Sequence, residues 1–374
     1  MIRLDVDPAA LSETDEQRQL RSVLGDLLGQ YCGPAGVRAQ VDSPRGFDQV
    51  LWERLAREIG VHGLALPEEY GGAGYTYAEL AVALEELGRV LCPAPVLTTV
   101  VLAGHALLVS GDQQACARRL PGIASGELTA TVAGFLHPAD VTAERGPGGW
   151  VLRGSADFVP DGEGVGLLLV KARAPDGERL FACEPDGATC ERTARRVLDP
   201  TRRQALLRFR GARAEPVGEP GRAAEVVDAV LDAGRVALAA EHIGGSAHAL
   251  DAVLAHVSRR TQFGRAIGSF QAVKHRLADL LVEIEGARSA SAYASACLAA
   301  GASELPLAAS AAAVVCTGAH RLATTEYVQL HGGIGFTWEH PAHLYLRRAR
   351  ADEALFGTGD DHRLRLAGLL GLAR

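Results

Sequence analysis

Between Arg222 and Arg259 the chain runs for nearly forty residues without a proline, and apolar side chains return every three or four positions. That pattern predicts a single helix about 55 Å long at roughly 1.5 Å per residue. So long a helix needs neighbours to cover its apolar stripe. The same period recurs in Gln271–Ala300, Leu305–Leu330 and Leu364–Leu372, which together predict a C-terminal helical bundle over residues 221–374.

Two other textures precede it. Residues 1–125 read as a helical domain. Glu16–Cys32 places Leu20, Val23, Leu24, Leu27, Leu28 and Tyr31 on one face, and Phe47–Ile59 and Tyr77–Leu91 repeat the pattern, with Thr76 placed to cap the latter. Leu66 to Gly74 is too rich in proline and glycine for helix, and Pro93 and Pro95 break the chain before another apolar helix. Residues 126–220 alternate short β-prone runs with turns: Thr129–Ala133, Trp150–Arg153, Gly166–Lys171, Arg179–Glu184 and Gln204–Phe209. An α+β fold follows, with a small antiparallel β-domain between two helical ones.

Composition excludes several classes. The 374 residues carry 38 basic and 45 acidic side chains, a formal charge of -7, so no basic face for nucleic acid is expected. Arginine supplies nearly all the positive charge, since Lys171 and Lys274 are the only lysines. The seven cysteines are scattered with no CxxC pair, which suggests buried thiols in a cytoplasmic protein and neither disulfides nor zinc. Met1 to Asp7 has no signal-peptide pattern, and the apolar windows Leu97–Ser110 and Leu305–Thr317 read as too short or too broken to span a bilayer. No G-x-G-x-x-G opens a helix after a strand, so no Rossmann site is expected. His340 and His343 stand three apart but lack the carboxylate set a metal would need, so no metal is expected.

Two clusters carry chemistry. Arg260-Thr261-Gln262-Phe263-Gly264, followed by Ile267, Phe270 and Gln271, marks the end of the long helix, a turn and a new helix. An arginine there can pair with phosphate oxygens and an aromatic can pack on a purine; equally, the segment could be an ordinary helix–helix turn. Gln329-Leu330-His331-Gly332-Gly333-Ile334-Gly335-Phe336 then leads to Glu339, Pro341 and Arg347. Its glycines let a ligand approach the backbone closely, though one glycine would suffice for a helix C-cap.

Taken together the clusters resemble the acyl-CoA dehydrogenase family, whose C-terminal domain carries R-x-Q-F-G-x-x-I/L-x-x-F-Q and Q-x-x-G-G-x-G-F-x-x-E-x-P about sixty residues apart. Pro67-Glu68-Glu69-Tyr70-Gly71-Gly72 likewise resembles the family's P-E-E-Y-G-G, so the likeness covers nearly the whole chain. It implies an N-terminal helical domain, a middle β-domain and a C-terminal four-helix bundle, with FAD lying across a subunit interface. By position, Arg260 would pair with the pyrophosphate of a neighbour's FAD, Phe263 would lie near its adenine, and Gln271 would stand in the same motif. Gln329, Gly332 and Gly333 would contact its diphosphate and ribose, while Thr358 would approach a flavin held by its own subunit. An acyl-CoA would lie beside the flavin, losing an α-proton to a carboxylate and a β-hydride to the flavin.

The departures are specific. The family's usual base lies 27 residues after the motif glutamine, where this chain has Phe356, followed by the matching Gly357 and Thr358. The alternative position, 26 residues before the motif arginine, holds Gly234. A hydrocarbon or a hydrogen removes no proton. Glu353, Asp352 and Glu241 are nearby carboxylates, each equally readable as a solvated or helix-pairing group. The middle domain also lacks T-E-P-x-A-G-S-D, around Thr131 to Asp140, and has Phe158-Val159-Pro160 for W-I-T, losing hydroxyl donors to the flavin ring. The resemblance thus implies a base-less subunit of a homo- or heterotetramer, serving FAD held by a related active subunit, as in actinobacterial mixed assemblies that degrade steroid side chains. The alternatives are a homotetrameric flavoenzyme needing no such base, such as a flavin-dependent monooxygenase, and a non-catalytic scaffold.

Overall fold

Helices, then strands, then helices follow one another in the computed structural model, which describes residues 6–7, 11–146 and 148–372. The stretch Met1 to Asp5, read above for a signal peptide, lies outside the described residues. Helix α1 (Asp15–Tyr31) starts where Thr14 and Gln17 form a reciprocal capping box. Then come α2 (Pro34–Asp42), α3 (Gln49–Arg54), α4 (Tyr77–Arg89), α5 (His105–Ser110) and α6 (Gln113–Ala124). π-Helical turns at Leu55–Ile59 and Leu97–Gly104 run directly into this set. The Leu66 to Gly74 segment is not wholly irregular as expected: Glu68–Tyr70 winds one 3₁₀ turn, closed by Gly71 at φ 80°.

The strands are β1 (Ala130–Ala133), β2 (Asp140–Gly146), β3 (Gly149–Pro160), β4 (Leu167–Ala174), β5 (Gly177–Cys183), β6 (Cys190–Ala194) and β7 (Gln204–Val217). After them come α7 (Ala223–Arg259), the two-residue strands β8 (Thr261–Gln262) and β9 (Arg265–Ala266), α8 (Gln271–Ala300), α9 (Leu305–His331), α10 (Ala342–Asp352) and α11 (Gly359–Leu369). Two compact units form, one from residues 1–39, 77–92 and 235–374, the other from 40–76 and 93–234.

In the second unit, β2 pairs β3, β3 pairs β7, β7 pairs β5, β5 pairs β4 and β4 returns to β2, which closes a ring. The ring encloses a core of Leu152, Leu168, Val170, Phe181, Leu207 and Phe209, while β1 and β6 pair on one side each, with β4 and β7. The expectation of an antiparallel sheet needs correction, because β1 runs parallel to β4 and β2 meets β4 in one parallel pairing. Between Ala156 and Val159 strand β3 carries one residue more than β7 opposite, a bulge that leaves Phe158 at φ 51°.

In the first unit, α1 packs on α4, α4 on α8, α8 on α9, and α9 on α10 and α11. Where α4 crosses α7 the backbones nearly touch. A Cβ on Gly88 would stand 2.2 Å from the Glu241 carbonyl oxygen, and one on Gly244 would stand 1.8 Å from that of Glu85. The segment from Leu305 is longer and more continuous than its sequence suggested: by length and composition alone it could cross a membrane. Here α9 serves as a core helix, burying His320, Thr324, Glu326 and Tyr327 against its neighbours.

Candidate functional site

The helix α7 ends at Arg259, and the chain turns at once into the β8–β9 hairpin. The expected helix–turn–helix is therefore a helix, a tight two-residue hairpin and a helix. Both corner residues, Phe263 and Gly264, adopt positive φ, 52° and 77°, as a type I′ turn requires. Glycine accepts that conformation readily, whereas for Phe263 it is strained, and it leaves the ring 90% exposed. Beside it, Arg265 lies 3.9 Å over the Phe270 ring. Helix α8 then starts at Gln271 with no side-chain cap, leaving its first amides open to an anion.

The second motif closes α9. Gln329 is exposed on its last turn, and Gly332 ends the helix at φ 63°, ψ -142°, a region only glycine visits freely. No atom lies within 4 Å of where a Cβ would stand on Gly332 or Gly333. The two motifs meet through imidazoles. His256, one turn before Arg260, packs 4.2 Å from His331, which stands between Gln329 and Gly332, and His331 packs 4.5 Å from His340. His331 bonds the Tyr327 carbonyl through Nδ1 at 2.8 Å, and the Ala342 amide donates to His340 Nδ1 at 3.2 Å. Burial, with help from His256 and His340 and against that carbonyl bond, pushes His331 down to about 4. Burial lowers His256 as well, reinforced by Arg260. Among the described residues Arg260 is exposed and has no ion pair of its own.

Thr358 lies elsewhere in this unit. It caps α11, accepting from the Asp361 amide at 3.3 Å and donating to Asp361 Oδ2 at 2.7 Å. Just before it, Phe356 is only 5% exposed, and the Arg235 guanidinium donates to its carbonyl at 3.4 Å. The cavity between them, lined by Leu238, His242, Thr317, Asp352 and His362 as well, measures about 10 Å³. That is room for roughly one water, so no thioester enters it in this conformation.

The three carboxylates near the usual base positions are all engaged. Arg348 reaches Glu241 at 3.3 Å, His242 meets Asp352 at 3.3 Å, and Arg350 and Arg321 hold Glu353 at 3.2 and 3.4 Å. Sequence reading missed the buried network around them. His242 stacks on His320 at 4.8 Å, and Ser246 lies 3.3 Å from the His320 Nδ1. His242 and Ser246, four residues apart on α7, and His320 on α9 carried no signal in such apolar helices.

In the second unit, the hydroxyl of Thr131 donates to the Pro160 carbonyl at 2.7 Å, and the Phe158 amide donates to its own neighbour, Asp157 Oδ1, at 2.8 Å. Pro160 offers no amide at all. These residues therefore fit poorly as donors to a flavin ring, whereas the open arginine and glycines of the first unit fit a diphosphate. Among the described residues no group of three histidine, cysteine or carboxylate side chains is arranged to hold a metal ion.

Comparison with known proteins places this geometry. The family model described as acyl-CoA dehydrogenase, N-terminal domain, matches residues 14–127, and that of the C-terminal domain matches residues 223–370. The chain is 36% identical to acyl-CoA dehydrogenase IpdE2 of Mycobacterium tuberculosis, over 92% of this chain and 94% of that one. Among solved structures, a variant of the Tcur3481-Tcur3483 steroid ACAD superposes with a TM-score of 0.86 at 30% identity, covering 96% of this chain and 99% of that one. The ChsE4-ChsE5 complex from Mycobacterium tuberculosis gives a TM-score of 0.87 at 25% identity, covering 97% and 99%. With its helix–sheet–helix order, both diagnostic motifs and matches over nearly its whole length, this chain belongs to the acyl-CoA dehydrogenase family.

Proposed function

We propose that this chain is the base-less member of a mixed acyl-CoA dehydrogenase tetramer. It lends Arg260, Phe263, Gln271, Gln329, Gly332 and Gly333 to FAD held by a related, active subunit. The reading keeps the three-part division at residues 125 and 220, a cytoplasmic location, and Thr358 as the one contact facing a flavin on its own side. The observation that supports it is an asymmetry: Gly332 and Gly333 have open space where a Cβ would stand, while the usual base position holds buried Phe356 beside a cavity of about 10 Å³.

FAD, once bound, would supply the hydride acceptor for α,β-dehydrogenation of an acyl-CoA. This chain's own part would be charge and position. Arg260 neutralises the diphosphate, the glycines let it approach the backbone, and the exposed Phe263 ring offers a face to adenine. Two solved relatives, the Tcur3481-Tcur3483 steroid ACAD and the ChsE4-ChsE5 complex, support the mixed assembly, and the first favours a steroid-derived acyl group.

The test is the visible absorption of the purified chain, alone and co-expressed with an adjacent-gene homologue. Flavin absorbance in the co-expressed sample only, falling when Arg260→Ala is introduced, is the expected result. One FAD per protomer in the chain alone, with acyl-CoA dehydrogenation, would refute the proposal. Oxygen uptake by reduced flavin in the chain alone would favour a monooxygenase instead. Partner flavin content indifferent to Arg260→Ala would favour a scaffold.

A further inference from the structure

The ring of His256 is half-buried on the last turn of α7, and neither of its nitrogens makes a hydrogen bond among the described residues. The Arg260 amide bonds the His256 carbonyl at 2.9 Å, so the helical turn continues and the two side chains share one face. On its other side the ring packs 4.2 Å from His331, the residue before Gly332. One imidazole therefore adjoins both motifs.

The charges around that ring are one-sided. On α7, Arg259 and Arg260 follow at three and four residues, while Ala252 and Val253 precede it at the same spacings. From α9 it meets His331, which packs on Tyr327, and beyond His331 stands His340. Arg38 on α2 and His343 on α10 act on His340 in turn. Among the described residues no carboxylate acts on His256, His331 or His340. Burial and Arg260 both oppose a charge on His256, whereas the carbonyl end of a 37-residue helix favours one.

The other two rings are committed. His331 Nδ1 donates to the Tyr327 carbonyl, and His340 Nδ1 accepts from the Ala342 amide, a bond that protonation there would break. His256 has no such bond to lose, and a proton on it lowers both of the others. What the surroundings lack is negative charge, and a diphosphate paired with Arg260 would bring it. The anion would offset the arginine that opposes the imidazolium and attract it directly. Held below the ordinary histidine value in the free chain, the ring then rises, so binding takes up a proton from solvent. By linkage, affinity for the anion climbs as pH falls between the free and bound values, by at most about 10-fold per pH unit for one proton.

We propose that His256 is a second, proton-linked cation of the diphosphate site, protonated when the anion pairs with Arg260 and neutral when it leaves. This rests on the reading of Arg260 as an FAD contact. The test strips flavin from the full-length chain, alone or with its co-expressed homologue, whichever holds FAD. Calorimetry then returns FAD in buffers of low and high ionisation enthalpy, between about pH 8 and pH 6. Affinity should rise about 3- to 10-fold over that range, with proton uptake growing alongside. His256→Gln should lose both. His256→Lys, charged throughout, should take up no proton and keep a flat affinity close to that of the parent at the acid end. Circular dichroism checks folding; should His256→Gln not fold, the flat profile of His256→Lys decides. No uptake by the parent, or uptake that survives either substitution, overturns the proposal alone. FAD affinity indifferent to Arg260→Ala, or FAD held by neither sample, overturns it together with the shared-site reading.

Discussion

Gly244→Ala puts a methyl group where the backbone of α4 already stands. The new Cβ would lie 1.8 Å from the Glu85 carbonyl oxygen and 2.7 Å from the Arg89 amide nitrogen. Ordinary contact begins near 3.4 Å, so α4 and α7 must part by roughly 1.6 Å. Neither obstructing atom can swing aside, because both are main chain. Parting the helices unpacks the buried Leu84, Leu87 and Ile243 and stretches the 2.7 Å bond from Arg288 to Glu85. Overpacking of this kind costs about 1–3 kcal/mol, and a main-chain obstacle puts it at the upper end. Alanine's better helix propensity returns up to about 1 kcal/mol, which leaves a net loss near 2 kcal/mol. For a unit of roughly 200 residues that lowers Tm by about 4–8 °C. Gly286 on α8 supplies the control, since it is exposed and no atom lies within 4 Å of its Cβ position. There the same substitution stabilises by up to about 1 kcal/mol. Calorimetry of the two variants against the parent should show shifts of opposite sign. Shifts of the same sign, or an unchanged Tm for Gly244→Ala, would refute the close-crossing argument.

Acidification should weaken the second unit through His62, which packs at a tilt on Trp52 with ring centroids 3.8 Å apart and is pushed down to about 3 by burial. The unfolded ring takes a proton as pH falls through about 6.5 while the folded one resists until about 3, so between those values stability drops by about 1.4 kcal/mol per pH unit. His62→Phe should flatten that slope in denaturation midpoints measured across the window; an unchanged slope would place the acid sensitivity elsewhere. All seven cysteines are buried, and burial pushes Cys183 and Cys316 up to about 12. A thiol reagent should therefore modify essentially none in the native protein and all seven after unfolding. Phe356→Ala should cost about 3–5 kcal/mol, read from urea midpoints, by enlarging the cavity beside Arg235. A cost well under 1 kcal/mol would show that the surrounding helices collapse around the site.

Long periodic segments were legible in the sequence, and short or polar ones were not. The boundaries read for α8, Gln271–Ala300, are those observed, and α7 and α9 differ by one residue at one end. Their buried faces repeat over seven or more turns, so the pattern outweighs any single residue. Helix α10 went unread because its buried positions include His343, Arg348 and Asp352, which break an apolar period. Strand β2 was missed for a similar reason: only Val141 and Ala143 of its seven residues are buried. Sheet closure and the parallel β1–β4 pair depend on contacts distant in sequence, which no local window contains. At the candidate site, Arg260 and the glycines were readable through the motifs they share with the family, and Gly332 also because its backbone conformation restricts residue type. The imidazole contact joining the two motifs was invisible, since it forms only once α7 and α9 end side by side.

The first unit draws on three separate stretches of chain, and this has a consequence for synthesis. Helix α4 is complete at Arg89, but its partner α8 begins only at Gln271. At about 5–20 residues per second on the ribosome, roughly 10–40 s separate the two. Until α7 emerges as far as Glu241 and Gly244, Leu80, Ala83, Leu84 and Leu87 have only α1 to cover them, while the second unit's sheet can close as soon as its last strand emerges. Nascent chains should therefore carry a sticky helical pair at the amino end until α7 has been made. A premature stop before α7 would leave a folded sheet attached to α1 and α4 with no core for them to join, a ready substrate for chaperones and proteases.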